Sequence, residues 1–443
     1  MAIRKMTALL TSAALLVVLA ACASGSNGET GQSGQPSSPA AGGSGGNPEQ
    51  IELRVAWWGG EGRHALWNEA IDKFQEKYPH ITVKREYTDI SAFFDKLNTQ
   101  MAGGAAPDVM TMARKFSNDY IQRGQLMELD DMIADSRLDL SNFNPQIVSS
   151  GVLNGKNYMI SLGSIVSGTF YNTGIFERAG VAPPVFDWTW DEFVDKAIEL
   201  QAALPEGVWA TGDYSMDEYE FRAFFLGRDK DMYTEDGQLG FDKQDLTEWL
   251  QIWERLREAG AVPPPEVQAE YPSEIPENGM FGLGKVAMLM RPQNQFNANQ
   301  KVMQDNVDIV RIPTGQDRNL GQDLDGTHIS IYAKTKYPDE AALLVNFLIN
   351  DPDAVNVLKL EYGPLGSQKM NDELKPQLTE PEVEALEFYE KVSDIAKTPN
   401  LPPAGNAEIV KELKLAGESV AFKQKTIEKA VDDFFAEAEK TLK

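Results

Sequence analysis

The chain of 443 residues contains one cysteine, Cys22, and three histidines, His64, His80 and His328. One thiol excludes an internal disulfide and every cysteine-based metal site. The histidines lie far apart in sequence and form no His-x-x-His pair, so clustered metal-ligand spacing is missing too. Neither a nucleophile elbow nor a phosphate-binding loop occurs. No cofactor or metal is therefore expected. Positive charge is also short: 41 Lys and Arg stand against 67 Asp and Glu, a net charge of −26. That balance disfavours nucleic acid and anionic membrane surfaces as partners. Long apolar runs are confined to residues 9–21. A membrane span needs about 20 apolar residues, so this run is too short for one.

What is present begins with a leader. Arg4 and Lys5 precede Leu9 to Ala21, which is broken only by Thr11 and Ser12. Residues 1–21 read as a signal peptide. The run closes on Leu19-Ala20-Ala21-Cys22, which resembles the lipobox of bacterial lipoproteins. The resemblance implies cleavage before Cys22, diacylglycerol on its thiol and acylation of the new amine. Two or more chains hold stably where one does not, at about 0.8 kcal/mol per buried methylene. The competing reading is a plain cleavable signal with an incidental cysteine. Loss of the leader leaves 39 basic against 67 acidic residues, or −28. Residues 22–50 then form a lipid-anchored linker rich in Gly, Ser, Pro, Asn and Gln. Its flexible 28 residues, 23–50, span about 28–30 Å by random-coil scaling.

The organising stretch is Ile51 to His64, IELRVAWWGGEGRH. Ile51, Leu53 and Val55 alternate as a strand, Gly59, Gly60 and Gly62 supply a turn, and a helix follows. Two indoles thus stand at the carboxyl end of a strand, where open α/β sheets place ligand crevices. Leu66, Trp67, Ala70, Ile71, Phe74 and Tyr78 recur at helical spacing up to Pro79. Residues 81–87 alternate as a second strand, and Ser91 is placed to cap a helix with Phe94, Leu97 and Met101. Residues 107–112 make a third strand. The β-α-β-α-β order predicts a parallel sheet. The remaining chain is ordinary globular material at 42% hydrophobic residues. Trp249 and Trp253, at helical spacing beside Leu250 and Leu256, read as core.

Several segments together resemble a known family. They are Trp57-Trp58-Gly59; Phe74 to Pro79; Ala102-Gly103-Gly104 with Pro107-Asp108-Val109; Tyr171 to Gly180; Trp190-Asp191-Glu192-Phe193; Phe281 to Met288; and Ala333 to Ala342. Their order and spacing are similar to those of the extracellular solute-binding proteins, family 1, that serve carbohydrate ABC importers. The resemblance implies an α/β fold of two lobes, each a central β-sheet flanked by helices, joined by hinge crossings. It places residues 51–163 plus 328–370 in a first lobe and 164–327 plus 371–443 in a second. Strand-like crossings are expected at 158–164 and 326–332.

Candidate ligand contacts belong at lobe edges, because such folds close around a solute by a hinge motion. Trp57 and Trp58 come first, with one of the pair expected to face the core since strand neighbours point opposite ways. Arg63 and His64 open the next helix, and a solvated Arg63 is the alternative. Arg114 and Phe116 follow the third strand. Many relatives carry an acid near Ala113, whereas this chain continues Arg114-Lys115. That departure points to an anionic ligand, or else to a basic surface pair. Asp213, Tyr214 and Tyr219 are the candidates in the second lobe. Arg291 and Asn294 fall where the resemblance implies ligand contact. Thr327 and His328 lie at the return crossing, where a lone histidine is more often a satisfied structural residue than a ligand contact. Arg63, Arg114 and Arg291 would suit a uronate-containing oligosaccharide if they converge.

The function implied is a monomeric, non-catalytic receptor, anchored through lipid on Cys22 at the outer face of the cell membrane. It would bind an oligosaccharide in an interlobe cleft and pass it to the transmembrane subunits of an ABC permease. The alternative is a lipid-anchored polysaccharide-degrading hydrolase or lyase, which needs two carboxylates about 5–9.5 Å apart across the bond.

Overall fold

The computed structural model describes residues 50–271 and 275–442. The leader, the lipobox with Cys22 and all of the linker but Gln50 lie outside the described residues. No helix among the described residues is long and apolar enough to cross a membrane.

The main strands are β1 (Ile51–Trp58), β2 (Ile81–Thr88), β3 (Val109–Ala113), β4 (Ile160–Ile165), β5 (Ser167–Asn172), β6 (Trp209–Thr211), β7 (Val286–Pro292), β8 (Val307–Arg311) and β9 (Asp325–Ile331). The main helices are α1 (Glu61–Lys77), α2 (Ile90–Ala102), α3 (Arg114–Gln122), α4 (Trp190–Gln201), α5 (Glu218–Leu226), α6 (Lys243–Glu258), α7 (Pro338–Asn350), α8 (Pro352–Leu358), α9 (Glu380–Val392), α10 (Asn406–Ala421) and α11 (Ile427–Thr441). Two sheets result. The first has five strands in the order β2-β1-β3-β9-β4, and the second four in the order β8-β5-β7-β6.

The first sheet is parallel from β2 through β3, as the β-α-β-α-β reading predicts. The return strand β9 then inserts antiparallel between β3 and β4. Its register with β4 slips between Thr327 and His328, a bulge that bends the strand at the sheet edge. The outward crossing is very short. β4 ends at Ile165 in the first sheet and β5 starts at Ser167 in the second, leaving only Val166 between them. The Gln293 side chain brackets this point: its Oε1 accepts from Val166 N at 2.8 Å and its Nε2 donates to Ser164 O at 3.0 Å.

Local sequence explains the element borders. Thr189 and Glu192 form a reciprocal capping box on α4, and Asp242 with Asp245 forms one on α6. Two expectations are corrected. Gly62 is not part of the turn, because α1 already begins at Glu61 and Gly59-Gly60 suffice. The second helix starts at Ile90 rather than at a Ser91 cap, and the Asp89 carboxylate accepts from the Ala92 amide at 3.1 Å.

Packing divides the same way. α1 lies against α7 and α8 beside the first sheet. In the second half α5 packs on α6 and α10, α11 on α6 and α10, and α9 on β8. Trp249 and Trp253 are fully buried, as their spacing predicts, with Trp190 edge-on to Trp249 at 5.3 Å.

Candidate functional site

The carboxyl ends of β1, β3 and β4 and the amino end of β9 meet at one edge of the first sheet. Opposite them stand α5, the loop 231–233 and the segment 399–406. Between these walls is a cleft of about 340 Å³. That is within the ordinary range for a small-molecule site, about 300–1,000 Å³.

The first wall presents Trp58, Arg114, Lys115, Ile165 and Asp325 to Thr327. Trp58 is held by Phe93 and Phe94, with ring centroids at 5.3 and 5.4 Å, and only 6% of it is exposed. It therefore offers an edge rather than a whole plate. Arg114 Nε donates to Ser150 O at 2.8 Å and Nη1 to Pro399 O at 2.5 Å, so this guanidinium reaches across to the other wall. Burial draws its pKa down to about 10, with Asp325 opposing and Arg222 adding to the effect.

On the second wall, Tyr219 is 45% exposed, and the Arg222 guanidinium lies 5.1 Å from its ring centroid. Arg222 Nη2 pairs with Asp323 at 3.3 Å, and Asp323 also accepts from Ser167 N and Oγ, both at 3.0 Å. Burial alone would lower the Arg222 pKa, but Asp323 and Asp325 outweigh it and keep the group firmly protonated. Burial raises the pKa of Glu218, with Arg222 and Lys115 opposing. Asp231 accepts from Asn400 N and Met232 N, both at 2.6 Å, which ties the two loops of this wall together.

Of the residues expected from sequence, Trp58, Arg114, Tyr219 and Thr327 come together on the lining. The others do not reach it. Trp57 is sealed in the core, stacked on Trp67 at 4.9 Å and donating to His64 Nδ1 at 3.2 Å. His64 is consumed by that contact. Arg63 pairs with Glu361 at 2.8 Å and lies over Tyr362. Phe116 packs on Phe94 at 4.2 Å, next to the cleft but off its lining. Asp213 is buried and bound to Arg257 at 2.6 Å. Tyr214 is buried too, its hydroxyl accepting from Met290 N at 3.1 Å. It shares a small second-lobe cavity with Arg291. Asn294 lines a groove with Leu66 and Glu361 that has no lining residue in common with the cleft.

His328 lies beneath the first wall, 1% exposed, with Nε2 at 2.8 Å from Ser150 Oγ. That hydroxyl donates to Ile147 O at 2.6 Å, so His328 must be the donor of the pair, as a neutral ring. Burial, helped by the Arg114 charge, lowers its pKa to about 3.

Sequence reading missed Arg222, Glu218, Asp231 and Asn400. Arg222 was visible in principle, one helical turn after Tyr219 and on its face. Asp231 and Asn400 lie in loops that only tertiary structure brings to the cleft.

The profile for bacterial extracellular solute-binding proteins matches residues 59–355, more than half of the chain. A putative binding protein of Brucella abortus is 24% identical over 288 residues, covering 64% of this chain and 68% of the relative. An extracellular solute-binding protein, family 1, from Alicyclobacillus acidocaldarius superposes with a TM-score of 0.78 at 26% identity, over 90% of this chain and 100% of the other. An oligogalacturonide-binding protein of Yersinia enterocolitica, solved with saturated digalacturonic acid, gives a TM-score of 0.72 at 21% identity, over 89% and 100%. The two sheets with a cleft between them are thus the two-lobe fold of these structures, and the chain belongs to the bacterial extracellular solute-binding protein family.

Proposed function

We propose that this protein is a lipid-anchored extracytoplasmic receptor that captures an oligosaccharide in the cleft and delivers it to an ABC permease. The lobes of this reading are residues 51–163 plus 328–370 and residues 164–327 plus 371–443. The observation that carries it is the cleft itself, whose two walls bring an exposed tyrosine, a tryptophan edge, guanidinium donors and carboxylate acceptors to one cavity. A sugar offers the matching surface, hydroxyls around the ring and an apolar C–H face for an aromatic plate. The sugar named for the Yersinia relative favours the same ligand class. Closure over the ligand would bring α5 toward the β3 edge, and Cys22 would hold the receptor at the membrane while the linker gives it reach.

Calorimetric titration with neutral and acidic oligosaccharides tests the reading. One class should bind and raise the melting temperature by mass action, and prolonged incubation should return the sugar intact. Turnover of the captured sugar would reverse the assignment in favour of a hydrolase or lyase. Replacing Cys22 by alanine should release the protein from the membrane fraction.

A further inference from the structure

Three cations line the cleft, and they differ in what neutralises them. Arg222 has the Asp323 carboxylate. Arg114 has only carbonyl oxygens, Ser150 O and Pro399 O. Carbonyls orient a guanidinium but leave its charge in place, and a charge withdrawn from water without a counter-ion is costly. Among the described residues no ion pair to Arg114 or Lys115 forms; Lys115 Nζ lies over the Phe116 ring at 5.1 Å. Both cations sit in the first turn of α3, which holds no acidic residue and whose N-cap, Ala113, has no side chain to accept from the free amides. Helix polarity adds to the positive field there instead of relieving it.

Two acids of the cleft, Asp325 and Glu218, act on Arg114 and Lys115 only at a distance, with no ion pair, and the others are engaged elsewhere. Asp231 accepts from two backbone amides, and Asp325 from the amide of its neighbour Gly326 at 2.8 Å. Asp323 is committed to Arg222 and Ser167. Arg63 and Arg291 do not converge on Arg114, so the positive charge of the first wall rests on Arg114 and Lys115, against the one carboxylate of Asp325.

We infer that the ligand is an anionic sugar, with a uronate carboxylate seated against Arg114 and Lys115 on the first wall. This rests on the receptor reading and narrows it. Arg114 then has a second role: by spanning from Ser150 to Pro399 it couples the ligand's charge to the approach of the two walls.

The test is titration of the protein with di- and trigalacturonate and with their carboxyl-reduced, neutral counterparts, at low and high salt. The acidic sugars should bind at least about 10-fold more tightly than the reduced ones, and salt should weaken the acidic sugars alone. Lys115→Gln, at an exposed position, should weaken digalacturonate roughly 3- to 10-fold and neutral sugars by clearly less. Arg114→Gln should weaken it further, with circular dichroism reporting whether the fold is kept. Equal binding of acidic and reduced sugars overturns the inference while the receptor reading stands. So does a Lys115→Gln protein that matches wild type on both. Competition by inorganic phosphate as strong as by digalacturonate also overturns it, since the cleft would then select charge without the sugar. If no oligosaccharide of either class binds, the receptor reading itself falls, and this inference with it.

Discussion

On the first wall of the cleft the side chains are fixed by a sheet; on the second they stand on one helix and two loops. Trp58 ends and Arg114 follows a strand that has a paired neighbour on each side, and beneath them lie the Trp57–Trp67 stack and the His328–Ser150 pair. Tyr219, Arg222 and Asp231 depend on α5 and on loops held by side-chain-to-backbone bonds. The difference teaches that one wall is a preformed template, whereas the other is assembled from parts that tertiary contacts must bring into place.

The sharpest way to break this contrast is to remove the packing under the first wall. Trp57→Ala should cost about 3–5 kcal/mol, as for other fully buried large residues, read from urea unfolding. A loss below about 1 kcal/mol would mean the first wall does not rest on that stack. The second half has its own buried anchor in Asp213–Arg257, with side chains 2% and 14% exposed. Arg257→Leu should cost about 3–5 kcal/mol by stranding the Asp213 carboxylate, without changing ligand affinity, since neither residue lines the cleft. A change in affinity larger than the change in stability would put Asp213 back among the contacts.

The pH response sharpens the comparison further. His328 has a folded pKa near 3, below its ordinary 6.5, so between those values the unfolded chain takes up the proton and the folded one does not. Its stabilising contribution is whole above pH 6.5 and is lost as the pH falls toward 3. Between pH 7 and 5 it should withdraw about 2 kcal/mol. His328→Gln should flatten that part of the stability curve; an unchanged slope would exclude His328 as its source. The smallest effect belongs to the second wall. Tyr219→Ala should weaken ligand binding roughly 5- to 10-fold, about 1 kcal/mol. Its unfolding free energy should stay within about 0.5 kcal/mol of wild type, because the ring is exposed.

Much of the first half was legible because short-range pattern determines it. The alternation from Ile51 and over 81–87 and the helical spacing through Phe74 gave the parallel strands in order. Which indole faces the cleft was not legible. Both carry the same chemistry, and β1 turns Trp57 toward α1, where Trp67 and His64 complete its surroundings. Arg63 falls outside the cleft for a related reason. A guanidinium reads as available in sequence, but Glu361 stands 298 positions from Arg63 and only the fold brings them within 2.8 Å. The second wall suffered most, since its loops at 231–233 and 399–406 have no periodicity to read.

The Gln293 amide has a mechanical consequence. It bonds to the backbone on both sides of Ile165, from a position with no exposure to solvent. Freeing both bonds without replacement would cost about 1–3 kcal/mol for each group left unsatisfied. The chain at 164–166 is thereby splinted, so any swivel of one sheet on the other is displaced to its neighbours and the axis of turning becomes a fixed property of the sequence.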